Sequence, residues 1–253
     1  MATKKKAVEK KVSMESLLET GAHFGHMVRR WNPKMEEYIW QAKDGVHIFD
    51  LEKTVMAIEA ASEFLTKMAS QGKRIVIVGT KRQAEETVKE VVAKLPGVGM
   101  VTERWLGGTI TNWDQMKTRI DRLNKLKSDR ESGKLEKYIK KERLLLDREI
   151  DKLERFYGGI AGLTAAPEVL IVIDTHKERV AVREANNRGV PVVGIVDSNA
   201  NPEIITYPIP MNDDAMMAVK LVIEALGLAI DKGLLMIKRE NVEIKKEKNV
   251  GKN

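Results

Sequence analysis

Apolar residues return along this chain in two alternating rhythms. Stretches where they are continuous or fall on every second position give way to stretches where they fall on every third or fourth, which predicts strands joined by crossover helices. SMESLLETG reads as a short helix capped by Ser13 and closed by Gly21. The following HFGHMVRRWNPKM keeps no clean period. EYIWQ and VHIFD alternate apolar with polar around Asp44-Gly45, a hairpin signal. From Leu51 a helical stripe of Met56, Ile58, Ala61, Leu65 and Met68 runs toward Gly72, with Asp50 as its N-cap. RIVIVG, EVLIVID and VPVVGIVD are continuous apolar runs of the kind buried on both faces of a parallel sheet, and each of the first two is followed by a helical pattern. ITYPIPM, with two prolines, predicts an edge strand, and a last helix starts near Asp213.

One segment interrupts this alternation. After RWLGGTITNW, residues 104–113, two highly charged helical patterns follow, one with apolar residues at Trp113, Met116, Ile120, Leu123 and Leu126, the other at Ile139, Leu146, Ile150, Leu153 and Tyr157. Their apolar seams are narrow and Ser132-Gly133 separates them, which predicts an antiparallel coiled-coil hairpin. The expected architecture is α/β, a doubly wound parallel sheet with that hairpin inserted. The expected organisation is a basic arm over 1–12, an α/β domain formed by 13–110 and 158–235, the hairpin over 111–157 and a charged tail over 236–253.

Composition narrows the function. The 253 residues carry a net charge of +7, which favours an acidic partner such as nucleic acid. Cysteine is absent, excluding disulfides, thiolate metal sites and cysteine nucleophiles and fitting a reducing, cytoplasmic setting. No run is long and apolar enough to span a membrane, and the Lys-rich start lacks the apolar core of a secretory signal.

The candidate chemistry is that of binding. Arg29, Arg30, Trp31, Asn32 and Lys34 lie in irregular backbone and suit an RNA backbone with a splayed base, although Trp31 also reads as a plug at the core edge. Lys81 and Arg82 follow the first buried strand, at the sheet edge where open α/β folds bind ligands, and read as phosphate contacts or plain surface. Nucleotide binding by Thr80-Lys81-Arg82 is the competing reading, weakened because the P-loop spacing is missing. In RWLGGTITNW, Gly107 and Gly108 let the chain leave the sheet, Arg104 and Asn112 offer polar contacts, and Trp105 is either a stacking face or a buried hinge residue. Trp113 reads as the first seam residue of the hairpin, while Lys117, Lys125 and Lys127 are weaker RNA contacts on it.

An enzyme needs a constellation that is not evident. Ser198, His176 and an aspartate form a triad only on paper, without a G-x-S-x-G elbow. His26, Asp197 and Asp213 offer an N/O set for a divalent metal, with capping and turn roles as the alternative for the two aspartates. No other cofactor and no small-molecule substrate is called for.

GAHFGHMVRRWNPKM, HIFDLEKT, GTKR, RWLGGTITNW, EANNRGVPVVGIVDSN and YPIPMNDDA, in this order, resemble the bacterial small-subunit ribosomal protein S2 family. The resemblance runs from about residue 13 to about residue 235 and leaves out only the Lys-rich ends. It implies a flavodoxin-like α/β domain with an inserted coiled coil. It further implies a non-enzymatic protein that contacts 16S rRNA and neighbouring small-subunit proteins, and that helps recruit ribosomal protein S1 and thereby mRNA.

Overall fold

The computed structural model describes residues 12–250, and their side chains as far as Ile237. The Lys-rich arm therefore falls almost wholly outside the described residues. After α1 (Met14–Glu19), whose N-cap Ser13 exchanges hydrogen bonds with Ser16, the chain builds a small antiparallel sheet of β1 (Phe24–Met27), β2 (Ile39–Lys43) and β3 (Val46–Phe49), in the order β1-β3-β2. The β2-β3 turn places Asp44 at φ 52° and Gly45 at φ 77°, the paired left-handed residues that a two-residue hairpin loop requires. Between β1 and β2, the aperiodic stretch forms two 3-10 turns, Val28–Arg30 and Pro33–Tyr38.

The main sheet is parallel. Its strands β4 (Ile75–Val78), β5 (Gly99–Val101), β6 (Val169–Ile173), β7 (Val192–Val196) and β8 (Tyr207–Pro210) lie in the order β5-β4-β6-β7-β8. This is the flavodoxin-like order, in which the first strand is flanked by the second and third, so that the switch point falls between β4 and β6. β8 occupies an edge, where its prolines leave no interior ladder bond unmade.

The strands alternate between two cores. Ile75, Ile77, Ile171, Ile173, Val193 and Ile195 face α2 (Leu51–Ser70), α3 (Arg82–Val92) and α7 (Met216–Val250). Val76, Val78, Leu170, Val172, Val192 and Val196 face α6 (Arg179–Asn187), the 105–110 segment and Met35. Helices on both faces explain why β4, β6 and β7 are apolar at every position.

The insertion consists of α4 (Trp113–Glu131) and α5 (Lys140–Tyr157), separated by Ser132, Gly133 and a short 3-10 turn, with Leu123, Leu126, Leu135, Ile150 and Leu153 forming a small core of its own. Trp113 is corrected here. It starts α4 but packs against the second core of the main sheet, so the hairpin's own cluster begins further along the helix.

Candidate nucleic-acid interface

The 29–34 loop is held by backbone. The Asn32 amide donates to the Ser198 carbonyl at 2.7 Å, its Oδ1 accepts from the Lys34 amide at 3.1 Å, and Trp31 packs on His47 with ring centroids 4.8 Å apart. Asn32 therefore spends its carbonyl oxygen on local capping, and Lys34 pairs with Glu203. Arg29 and Arg30 are exposed and form no ion pair among the described residues; the same holds for Arg82 and Arg104. Asn112 is exposed, with no side-chain hydrogen bond at the start of α4.

Two expected contacts are withdrawn. Trp105 is only 5% exposed and packs in the second core, so it is a hinge residue and offers no stacking face. Lys81 turns inward. Its Nζ lies 2.6 Å from Asp213 Oδ1, 2.7 Å from Asp214 Oδ1 and 3.2 Å from Asp174 Oδ2, which leaves no free ammonium for a phosphate.

That ammonium sits at the carboxyl ends of β4 and β6, at the switch point. Burial alone would lower the Lys81 pKa, yet the Asp213, Asp214 and Asp174 carboxylates outweigh it and hold the amine above its ordinary range. Asp213 is also raised, to about 7, because burial and the neighbouring Asp197 and Asp174 charges exceed what one ammonium offsets. His26 completes the network. Its Nδ1 lies 2.9 Å from Asp197 Oδ1, and this hydrogen bond raises the imidazole pKa against the opposing effect of burial.

The expected metal set of His26, Asp197 and Asp213 needs one correction. Ligand atoms of His26, Asp213 and Asp214 lie within 4.8 Å of one another, whereas both Asp197 oxygens are already engaged. Asp197 Oδ1 accepts from the Ser198 amide at 2.6 Å and faces His26; Oδ2 accepts from the Asp213 amide at 3.2 Å. Asp214 is thus the better ligand. A divalent ion would compete with the Lys81 ammonium for Asp213 and Asp214. The same network disposes of the paper triad, since Ser198 is buried on Asp197 and His26 while His176 is exposed.

The sequence reading missed Glu184. Its buried carboxylate, 8% exposed, gathers the hinge: Oε1 accepts from the Gly108 amide at 2.7 Å and Trp105 Nε1 at 3.4 Å, and Oε2 from the Ile110 amide at 3.2 Å and the Thr111 hydroxyl at 3.2 Å. Gly108, at φ 94°, supplies the left-handed turn that points these amides inward. The signal was present: Glu184 shares the buried face of α6 with Ala181, Val182 and Ala185, and a glutamate on an apolar stripe needs donors.

Comparison with known proteins agrees with this architecture. A family model described as ribosomal protein S2 matches residues 17–233. The small ribosomal subunit protein uS2 of Dictyoglomus thermophilum is 44% identical over 237 residues, covering 93% of this chain and 96% of the relative. The protein of the same name from Roseiflexus sp. is 45% identical over 222 residues, covering 88% of this chain and 84% of the relative. A match of this extent, over the parallel sheet and its insertion alike, makes this chain a member of the ribosomal protein S2 family, which is not a family of enzymes.

Proposed function

We propose that this chain is a structural constituent of the small ribosomal subunit, binding 16S rRNA and helping to recruit ribosomal protein S1, and so mRNA, in the cytoplasm. The observation that carries this reading is the extent of similarity to relatives named for that subunit, 93% of the chain in the Dictyoglomus thermophilum case. The geometry supplies the chemistry. Arg29, Arg30, Arg82 and Arg104 have guanidinium groups free for phosphates, Trp31 is half-buried, and Asn112 is available to sugar or base edges. Neutralising phosphates releases counterions, so affinity for 16S rRNA fragments is expected to fall steeply with salt. Binding that stays flat from low to high salt would remove this mechanism.

Recruitment of a protein needs a different surface. An open groove of about 650 Å³ is lined by Met14, Leu18, Phe24 and Trp40, with Trp40 68% exposed. Exposed apolar patches of this kind mark protein contacts, and we assign this one to ribosomal protein S1. Trp40→Glu is expected to reduce S1 retention on small subunits while leaving rRNA affinity intact, as read by co-sedimentation; equal loss of both would reject the assignment.

The clustering of His26, Asp213 and Asp214 favours a secondary reading in which a divalent ion docks there. Elemental analysis after dialysis against zinc tests it: stoichiometric metal that disappears in His26→Ala supports the site, and its absence in the unmodified chain removes it. Among the described residues no helix is long and apolar enough to cross a membrane.

A further inference from the structure

The outer face of α6 is unusual in a chain where most elements mix both charges. Its exposed positions are Arg179, Val180, Arg183, Asn186 and Asn187, followed by Arg188, with no acid among them. Both nearby glutamates are turned inward: Glu178 is buried and accepts from the Thr80 hydroxyl, and Glu184 is consumed by the hinge. On α3 and the inserted hairpin several cations are compensated, as in Lys89 with Glu85, Arg122 with Glu149 and Lys127 with Glu154. Arg179 and Arg183 form no ion pair among the described residues. One helical turn apart, their Cβ atoms are spaced by about 5–6 Å, close enough for two guanidinium groups to engage neighbouring phosphates.

Position strengthens the case. At the amino end of α6, Lys177 Nζ donates to the Thr80 carbonyl at 3.0 Å, tying the helix to the segment that carries Arg82. At the carboxyl end, Arg188 donates to the Thr111 carbonyl at 2.8 Å, beside Asn112. Asn186 donates to the Ile204 carbonyl at 2.9 Å, and the adjacent Glu203 holds Lys34 of the 29–34 loop. α6 thus joins all three segments that the sequence marked for RNA contact.

The geometry points to a continuous strip, Arg179 and Arg183 on the outer face of α6 with Arg188 just past its carboxyl end, that binds the rRNA sugar-phosphate backbone and links those segments into one surface. This inference rests on the rRNA-binding reading above. A polynucleotide is the occupant that fits, because the strip is cationic, carries amide side chains for sugar and phosphate oxygens, and lacks an apolar centre of the size a protein neighbour would bury.

The test is the salt dependence of 16S rRNA binding by the full chain, by R179A/R183A and by R179K/R183K. The comparison variant is K73A/K89A, whose lysines are paired with Glu168 and Glu85 and are given no RNA contact. Two lost phosphate contacts lower the steepness of log affinity against log salt by about 1.4 to 1.8, with roughly a tenfold or greater loss of affinity at moderate salt. The lysine pair restores most of the steepness, since charge is kept. A merely structural role would lower binding through unfolding without changing that slope, and thermal unfolding of each variant checks it. If the unmodified chain shows a steep slope and R179A/R183A matches it, the strip is overturned and the wider reading stands; if the unmodified chain shows no slope, the wider reading itself fails. Unchanged rRNA affinity with loss of a neighbouring subunit protein also overturns the proposal, because the strip would then dock protein.

Discussion

Two largely buried acidic centres solve the same problem differently. Around Lys81, the carboxylates of Asp174, Asp213 and Asp214 share one ammonium, with Asp197 turned to His26. Around Glu184, one carboxylate is shared by the neutral donors of a single loop. The first centre has more negative charge than its cation can balance, and it joins strand ends that were already fixed by the sheet. The second has more donors than acceptors, and it gives shape to a loop that no sheet or helix holds. Excess acid makes a centre respond to pH; excess donors make a loop depend on one residue.

The largest expected effect is at the hinge. Glu184→Ala strands several buried amides at once and is expected to cost about 3–4 kcal/mol in denaturant unfolding, with the 105–111 amides losing hydrogen-exchange protection first. A loss below about 1 kcal/mol would mean that the loop holds itself and that the two centres do not differ as described.

A smaller loss is expected when the lysine is removed. Lys81→Met leaves buried carboxylates unpaired, but Asp213, already raised to about 7, can take up a proton, which limits the cost to about 2 kcal/mol near neutral pH. The comparison sharpens if this loss shrinks as the pH is lowered, and breaks if it is independent of pH.

The smallest effect is the pH dependence of the unmodified chain. Folding raises the Asp213 pKa from its ordinary 3.8 to about 7, and it raises that of His26 above 6.5. In both cases the folded chain binds the proton more tightly than the unfolded chain, so protonation favours the fold. The contribution of Asp213 is lost as pH rises from 3.8 through about 7, and that of His26 as pH rises above 6.5. Unfolding free energy is expected to fall by on the order of 1 kcal/mol from about pH 6 to about pH 8, with a flatter profile in Asp213→Asn. A rise over that interval would contradict the assignment.

Much of the fold was legible because its signals are local. The continuous apolar runs RIVIVG, EVLIVID and VPVVGIVD became β4, β6 and β7, Asp44-Gly45 became the hairpin turn, and the prolines of ITYPIPM placed β8 at an edge. β1 was not legible, since FGHM has no alternation of its own and pairs on the edge of β3 that β2 leaves open. Among the interface residues, Arg29, Arg30, Arg82 and Arg104 are exposed, and the neighbouring acids Glu85 and Glu103 are taken by Lys89 and Arg155 instead. Lys81 and Trp105 went the other way for a long-range reason. The partners that draw them inward, Asp213 and Glu184, stand 132 and 79 residues away along the chain.

Periodicity, turn residues and net charge therefore determined the α/β class, the inserted charged helices and the cationic character of the chain, since each follows from backbone sterics and from which residues can face water. Only the tertiary structure decided the strand order, which of the marked cations remain free, and that both glutamates beside α6 are hidden. These outcomes depend on which distant side chain arrives at hydrogen-bonding distance. A buried carboxylate accepts whatever donor the fold delivers to it, and residue spacing along the chain does not record that delivery.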